Sequence, residues 1–171
     1  MKMRGEQTMS DVKDKFRESM SQLAAGVTIV MTEIDGRPWG LTVSACCSIS
    51  MEPPLIMVSL ATNSASTQAI IDNDRFSVSL LAADQIEVAK AGAKAGAPKF
   101  FEDFVDTESE GHYEVKNTLA NIHCKVDQVI PAGDHTMFIG LVENVVLGDS
   151  GAPLVYFHRQ FGEFRSSTVN K

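Results

Sequence analysis

Gly40-Leu41-Thr42-Val43-Ser44-Ala45-Cys46-Cys47-Ser48-Ile49-Ser50 is the stretch that decides the fold, together with the segments that follow it, Pro53-Pro54-Leu55-Ile56-Met57-Val58-Ser59-Leu60 and Asn63-Ser64-Ala65-Ser66-Thr67. Clusters of small hydroxyl residues stand here between apolar runs with strand character. Small residues let backbone amides approach a flat ring, and a Ser-x-Ser-Thr group at the start of a helix offers hydroxyl and N–H groups to an anion. The stretch therefore predicts a cradle for a phosphorylated cofactor. Strand surface, turn and plain helix capping are the alternative interpretations.

Short strands and few helices make up the rest of the pattern. Apolar residues at helical spacing from Phe16 to Ala24 predict a first helix that is capped by Ser10 or Asp11 and ended by Gly26. Further patterns predict helices at 66–71 and 83–92, and strands at 27–32, 39–46, 55–60, 76–80, 121–130, 137–147 and 155–161. Many short strands with hairpin-type connections indicate a closed β-barrel. No Gly-x-Gly-x-x-Gly turn follows a strand, which argues against the usual dinucleotide-binding fold.

The order of these motifs resembles the short flavin reductases that supply reduced flavin to two-component monooxygenases. Gly-x-Thr-x-Ser, Pro-Pro-Leu, a strand ending in Ser-Leu and Asn-x-x-Ser-Thr occur in that family's order, and Gly133-Asp134-His135 and the segment 153–161 agree with it. The resemblance implies a mainly β protein with a few helices, a Greek-key split β-barrel of the FMN-binding type, usually a homodimer with flavin at or near the interface. The predicted division is a tail over 1–12, one flavin reductase-like domain over 13–165 and a second tail over 166–171.

The resemblance also implies which residues contact the cofactor. The positions that it assigns to the flavin ring are Thr42, Val43, Ser44, Ala45, Ser59 and Leu60. The positions that it assigns to the flavin phosphate are Asn63, Ser64, Ser66 and Thr67, with Lys99 and Phe100 near the phosphate or ribityl chain. Aromatic packing and a cationic contact near the flavin or the pyridine nucleotide are assigned to Tyr156, Phe157 and Arg159.

His135 is the predicted catalytic residue. In the resembling family the Gly-Asp-His segment lies beside the nicotinamide site, so the resemblance implies that His135 positions the hydride donor. Histidine side chains titrate near neutral pH. The sequence therefore leaves open whether His135 also protonates reduced flavin or senses pH, or is simply a surface residue held by a hydrogen bond.

Composition limits the partners and the compartment. The formal net charge is -7 and the 15 Lys and Arg residues are scattered, which argues against a nucleic-acid or anionic-membrane partner. Three cysteines, two of them adjacent at 46 and 47, predict a cytoplasmic protein whose thiols are buried small hydrophobes, with neither a disulfide framework nor a metal site. The polar segment Met1–Ser10 is not expected to be a signal peptide, and no run of about 18 apolar residues could span a bilayer.

The activity implied by the resemblance is NAD(P)H-dependent transfer of a hydride to FMN or FAD, with the reduced flavin passed to a separate oxygenase. Cofactors carry out this chemistry themselves, so the absence of Ser-His-Asp, His-Glu-x-x-His and Walker motifs is expected. No arginine cluster awaits a 2′-phosphate, which favours NADH over NADPH. Two alternatives stay open: a reductase with tightly bound flavin that acts on a cobalt corrin or ferric complex, and a non-catalytic flavin- or heme-binding split-barrel protein.

Overall fold

A seven-stranded antiparallel sheet organises the chain in a computed structural model that describes residues 8–109, 111–149 and 151–165. The helices are α1 Met9–Ser21, α2 Ala65–Asn73 and α3 Ile86–Ala93, and a 3₁₀ turn covers Glu102–Phe104. The first six strands are β1 Ala25–Gly26, β2 Thr28–Ile34, β3 Arg37–Val43, β4 Cys46–Met51, β5 Pro54–Ala61 and β6 Arg75–Leu80. The last six are β7 Val105–Ser109, β8 His112–Val115, β9 Ala120–Ala132, β10 His135–Leu147, β11 Leu154–Phe157 and β12 Gln160–Glu163.

The sheet curls into a split β-barrel because its two edge strands are neighbours in the sequence. The strand order is β3-β2-β6-β9-β10-β5-β4, and only residues 44 and 45 separate β3 from β4. The Ser59 N–H donates to the Ala45 carbonyl at 3.0 Å, which ties this link to β5. Alternate residues of β5, namely Ile56, Val58 and Leu60, point into the barrel, as a strand with one face in the core requires. The alternation of apolar residues along the strand thus forms part of the barrel interior.

A second apolar core lies on the outside of the barrel wall. Ile29 and Met31 of β2 face it, and it is closed by α3, by the 99–104 segment, by β8 and by the small sheet β1-β11-β12. Five consecutive residues of β2 are therefore buried, from Thr28 to Thr32. This burial on both faces explains why β2 reads as a continuous apolar run rather than as an alternation.

Several element boundaries differ from the sequence predictions. Helix α1 begins at Met9 with Thr8 as its N-cap, so residues 9–12 of the predicted tail belong to the helix, which ends at Ser21. The predicted strand at 155–161 is two strands joined by a turn in which His158 and Arg159 adopt positive φ angles of 50° and 62°. The rest of the predicted first tail and the whole predicted tail 166–171 lie outside the described residues. Among the described residues, no helix is long and apolar enough to cross a membrane.

Candidate functional site

The end of β5 brings the predicted ring-binding residues and His135 together. On one side, the Ala45 carbonyl accepts a hydrogen bond from Ser59 N–H. On the other side β10 pairs with β5, with His135 opposite Ala61. The Thr62 N–H also donates to the Asp134 carbonyl at 3.0 Å. Segments that are far apart in sequence therefore meet at one edge of the barrel.

The ring-binding candidates divide into core and surface residues. Leu60 and Val43 are buried in the barrel core, whereas Ser44 and Ala45 are exposed and Ser59 is half-buried. Ser59 and Leu60 are successive strand residues, so their side chains point to opposite faces. Side-chain contacts with a ring are open to Ser44, Ala45 and Ser59, while the core residues can contribute only through their backbone.

Thr42 has a structural bond that the sequence did not reveal. Its hydroxyl donates to the Ala89 carbonyl of α3 at 2.6 Å. Gly92 packs directly against it, because a Cβ atom built on Gly92 would lie 2.5 Å from Thr42 Oγ1. This bond anchors α3 to the outer face of β3, so the contact of Thr42 with a flavin stays a prediction that concerns its backbone above all.

The hydroxyl groups at the start of α2 are turned inward. Ser64 is the N-cap and accepts from the Thr67 N–H at 3.2 Å. The Thr67 hydroxyl donates to the Ala61 carbonyl at 2.8 Å, and Ser66 Oγ accepts from the Trp39 indole N–H at 3.1 Å. Ser66 and Thr67 are 2% and 3% exposed. These hydroxyls hold the turn in shape, and the groups left for an anion are the exposed Asn63 and the N–H groups of Ala65 and Ser66 in the first helical turn.

Lys99 and Phe100 lie along the free edge of β3. The Lys99 carbonyl accepts from Gly40 N–H at 3.0 Å, and Phe101 N–H donates to the Pro38 carbonyl at 2.9 Å. Partial burial lowers the pKa of the Lys99 ammonium group. No described residue forms an ion pair with this ammonium group, which makes Lys99 a half-buried cation without a counter-charge. Phe100 lies opposite Trp39 with its ring on the same face of β3, so the side chain of Lys99 leaves on the other face. A contact of Lys99 with a flavin phosphate stays a prediction.

His135 is half-exposed and hydrogen-bonded to its neighbour. Its Nδ1 atom lies 2.8 Å from Asp134 Oδ1. A carboxylate can only accept, so Nδ1 carries the hydrogen and Nε2 is the ring atom left for a ligand. The hydrogen bond to His135, followed by the charge of His135, lowers the pKa of the Asp134 carboxyl. Asp134 thereby sets the tautomer and orientation of the imidazole ring.

The predicted C-terminal contacts lie elsewhere in the single chain. Tyr156 pairs with Ala25 and packs on Phe161, and the Arg159 guanidinium is 3.2 Å from a Glu18 carboxylate oxygen of α1. Phe157 is exposed. Among the described residues, the hydrogen bonds, ion pairs and ring contacts of these three side chains do not include the cradle. Their role in a flavin or nicotinamide site stays a prediction.

The cysteines are not uniformly buried as predicted. Cys47 is exposed, because Cys46 and Cys47 are successive strand residues and only Cys46 turns towards the core. Burial raises the pKa of the Cys46 thiol to about 11 and of the Cys124 thiol to about 12, which makes both unreactive. In the described ranges no three His, Cys, Asp or Glu side chains converge as metal ligands.

Comparison with known proteins gives a consistent result over nearly the whole chain. A family model described as "Flavin reductase like domain" matches residues 20–165. The reductase component of 4-hydroxyphenylacetate 3-monooxygenase from Thermus thermophilus is 36% identical over 88% of this chain and 95% of its own length. An NADH:riboflavin 5′-phosphate oxidoreductase from Streptomyces pristinaespiralis is 34% identical over 85% of each chain. A crystal structure of BorF, the flavin reductase component of a bacterial two-component tryptophan halogenase, matches with a TM-score of 0.83 and 30% identity over 90% of this chain and 99% of that one.

Proposed function

The chain belongs to the flavin reductase-like family, and from this premise we propose that it is an NADH-dependent flavin reductase that supplies reduced flavin to a separate monooxygenase. The observation that carries the proposal is the convergence at the end of β5. Ala45, Ser59 and His135, drawn from three segments, lie at one edge of the barrel and are tied there by backbone hydrogen bonds. Flavin, when bound, would supply the chemistry, since its ring can accept a hydride from the nicotinamide.

The chain contributes binding and orientation to this reaction. Ser44, Ala45 and Ser59 offer small side chains and backbone groups to a flat ring from one side of the β5 end. His135, on the other side of β5, presents Nε2 to the nicotinamide while Asp134 holds Nδ1. A reaction between two bound rings depends on this alignment, because effective concentration and orientation supply most of its acceleration.

The residues at the start of α2 fit the phosphate group of FMN or FAD. A helix N-terminus favours a negative charge, and this one carries the exposed Asn63 in front of it. Lys99 adds a cation that lacks a counter-ion among the described residues. Ser66 and Thr67 support this end of the site by fixing the turn rather than through exposed hydroxyls.

A direct activity measurement tests the proposal. Protein freed of flavin is mixed with NADH or NADPH and with FMN, FAD or riboflavin, and nicotinamide oxidation is followed by absorbance. We expect oxidation only when a flavin is present, with NADH preferred over NADPH. Undiminished oxidation by flavin-free protein, or no oxidation with any flavin, contradicts the proposed activity.

We also propose that the protein is a cytoplasmic homodimer. Helix α1 has no buried residue, and its apolar side chains recur at helical spacing on an exposed stripe consisting of Met9, Val12, Phe16 and Met20. Such a stripe is stable in water when another surface covers it. Light scattering of wild type and of Phe16→Glu tests this, because a charge on the stripe should shift the mass towards that of the monomer.

A further inference from the structure

His135 begins strand β10 directly after a tight turn. Ala132 and His135 pair across a two-residue loop formed by Gly133 and Asp134, with Gly133 at a positive φ of 66°. Glycine at the first position is typical of type II′ hairpin loops. The Asp134 side chain that holds His135 Nδ1 is 97% exposed, and exposed ion pairs contribute little on their own. The orientation of the imidazole ring therefore depends on how firmly the backbone of this turn is held.

Thr62 holds the residues on both sides of His135. Its N–H donates to the Asp134 carbonyl at 3.0 Å. Its hydroxyl lies 3.0 Å from the Thr136 hydroxyl, and either atom of this pair can be the donor. Thr136 is 4% exposed, and Thr62 is the partner of its hydroxyl among the described residues. Because a buried hydroxyl needs a partner, this bond fixes the start of β10 from the face opposite to His135.

Thr62 is itself anchored through the residue before it. The Ala61 carbonyl accepts from the Thr67 hydroxyl at 2.8 Å and from the Ser64 N–H at 3.0 Å. Ala61 also lies opposite His135 in the pairing of β5 with β10. The link between β5 and α2 is therefore well fixed, and the turn before β10 takes its position from this link through Thr62.

On the basis of the proposed function, we infer that Thr62 is a positioning residue that orients His135 for hydride transfer. Its N–H and its hydroxyl hold Asp134 and Thr136, so that His135 presents Nε2 towards the nicotinamide in one orientation. Thr62 acts through these neighbours and not by contact with either ring. A loosened turn would leave the imidazole in several orientations and the hydride donor less often aligned.

Carbon NMR titration of the Asp134 carboxyl tests this positioning without flavin or NADH. The hydrogen bond to His135 is the largest cause of the lowered pKa of Asp134, followed by the charge of His135, with a small contribution from Lys13 of α1. Thr62→Val removes the hydroxyl but keeps the branched shape, at an exposed position where the fold tolerates it. The hydrogen bond from His135 should then form less often, so the pKa of Asp134 should rise. Thr62→Ser keeps the hydroxyl and should keep the low pKa.

Thr118→Val is the matched control for loss of a threonine hydroxyl. Thr118 is buried, and its hydroxyl donates to the Val115 carbonyl at 3.3 Å. It lies beside the other end of β10, where Leu147 pairs with Ala120. This variant loses a hydrogen bond inside the same protein but should leave the pKa of Asp134 unchanged.

Stopped-flow reduction at saturating NADH, paired with an equilibrium flavin titration, measures the consequence for the reaction. Thr62→Val should slow flavin reduction by about two- to tenfold, the effect of one ordinary hydrogen bond, and leave flavin affinity and the KM for NADH unchanged. Thr136→Val should slow it equally, although Thr136 is buried and cannot touch a ligand. The double variant should be no slower than either single variant, because both remove one interaction. Thr62→Ser should restore the wild-type rate.

Three results would overturn the inference: an unchanged pKa of Asp134 in Thr62→Val, an equal rise in Thr118→Val, or a loss in Thr62→Val that is confined to flavin affinity. An effect of Thr62→Val without one of Thr136→Val would also contradict it, because Thr62 would then act by direct contact. If wild-type protein reduces no flavin with NADH but the pKa of Asp134 rises as expected, the proposed activity fails and the orientation of His135 by Thr62 stands.

Discussion

The stacked histidines beneath the β7–β8 hairpin should make the protein less stable as the pH falls. The rings of His112 on β8 and His123 on β9 lie 4.7 Å apart and within 4° of parallel. Both residues are buried, at 6% and 3% exposure. His112 Nδ1 has no hydrogen-bond partner among the described residues, and His123 Nε2 is 3.1 Å from a Glu114 carboxylate oxygen without the alignment of a hydrogen bond. A proton added to this pair would enter a poorly compensated buried site.

The sign and the size of the effect follow from proton linkage. Burial first, then the charges of His123 and Arg75, lower the pKa of His112, against a smaller opposing contribution from Glu143. The unfolded chain therefore binds a proton at a higher pH than the folded chain does. The stabilisation is complete above the ordinary histidine pKa of about 6.5 and is lost as the pH falls below it. One extra proton on the unfolded chain lowers the free energy of unfolding by about 1.4 kcal/mol per pH unit. That is a large share of the roughly 5–15 kcal/mol of a typical domain.

Urea unfolding at a series of pH values between 7.5 and 5 measures this slope. His112→Phe keeps a ring stacked on His123 but cannot bind a proton, so its stability should fall less steeply with pH, by up to about 1.4 kcal/mol per unit. His158→Asn is the matched control, since His158 is an exposed turn residue with a φ of 50° that asparagine tolerates, and it should keep the wild-type slope. Identical slopes for His112→Phe and wild type would refute the reasoning.

Three further predictions concern the site. Lys99→Met should weaken FMN and FAD more than riboflavin in equilibrium titrations, because the family resemblance assigns this cation to the phosphate end of the flavin; equal weakening contradicts this assignment. His135→Ala should slow flavin reduction in stopped-flow by up to about a hundredfold, since a misplaced donor reacts slowly, and should leave flavin affinity intact. Loss of flavin with normal reduction at saturation would instead assign His135 to the flavin pocket. Gly92→Ala should lower the melting temperature although alanine favours helix by about 1 kcal/mol, because its Cβ would crowd Thr42 at a cost of about 1–3 kcal/mol. An unchanged or raised melting temperature would show that crowding of Thr42 does not outweigh the gain in helix propensity.

The sequence predicted the strands whose burial follows a simple period. β5 and β6 alternate or are flanked by turn residues, and β2 is a β-branched run, so each was predicted within two residues of its bounds. β4 was missed as a separate strand because it is an edge strand with mostly exposed small residues, from which no apolar alternation can arise. The β7–β8 hairpin is short, and its second strand docks through hydrogen bonds such as Ser77 Oγ–H to the Tyr113 carbonyl at 2.6 Å. β8 also buries Tyr113 and Val115 in the second core, but a strand of four residues is too short to show a clear period.

The turn at residues 158–159 was missed for a different reason. His158 and Arg159 both adopt positive φ, a conformation normally signalled by glycine or asparagine. Here the surrounding structure holds it, because His158 N–H donates to the Ser21 carbonyl and Arg159 pairs with Glu18. A local sequence signal cannot report a turn that depends on a helix more than 130 positions away.

In the candidate site, too, the sequence could not predict the surroundings of single side chains. The family resemblance assigned the 42–45, 59–60 and 133–135 segments to one site, and the Ser59–Ala45 hydrogen bond and the pairing of β5 with β10 make these segments neighbours. The sequence did not show where each hydroxyl points, because that depends on partners such as Trp39, which is 27 positions from Ser66. A lone tryptophan directly before the motif was the available signal.

Because the hydroxyls point inward, we interpret the serine- and threonine-rich motif as a structural element rather than as a set of ligand contacts. Thr42 and Thr67 donate their hydroxyl hydrogens to carbonyls inside the protein, so these two groups cannot donate to a ligand without breaking a bond of about 0.5–1.5 kcal/mol. Ser66 accepts from Trp39, and it is only 2% exposed. They let a helix start and two strand ends approach closely without leaving buried polar groups unpaired. The attraction for an anion must then come from the N–H groups of the first turn of α2 and from Lys99. We therefore expect phosphate affinity to depend on ionic strength and on Lys99 more than on any single hydroxyl.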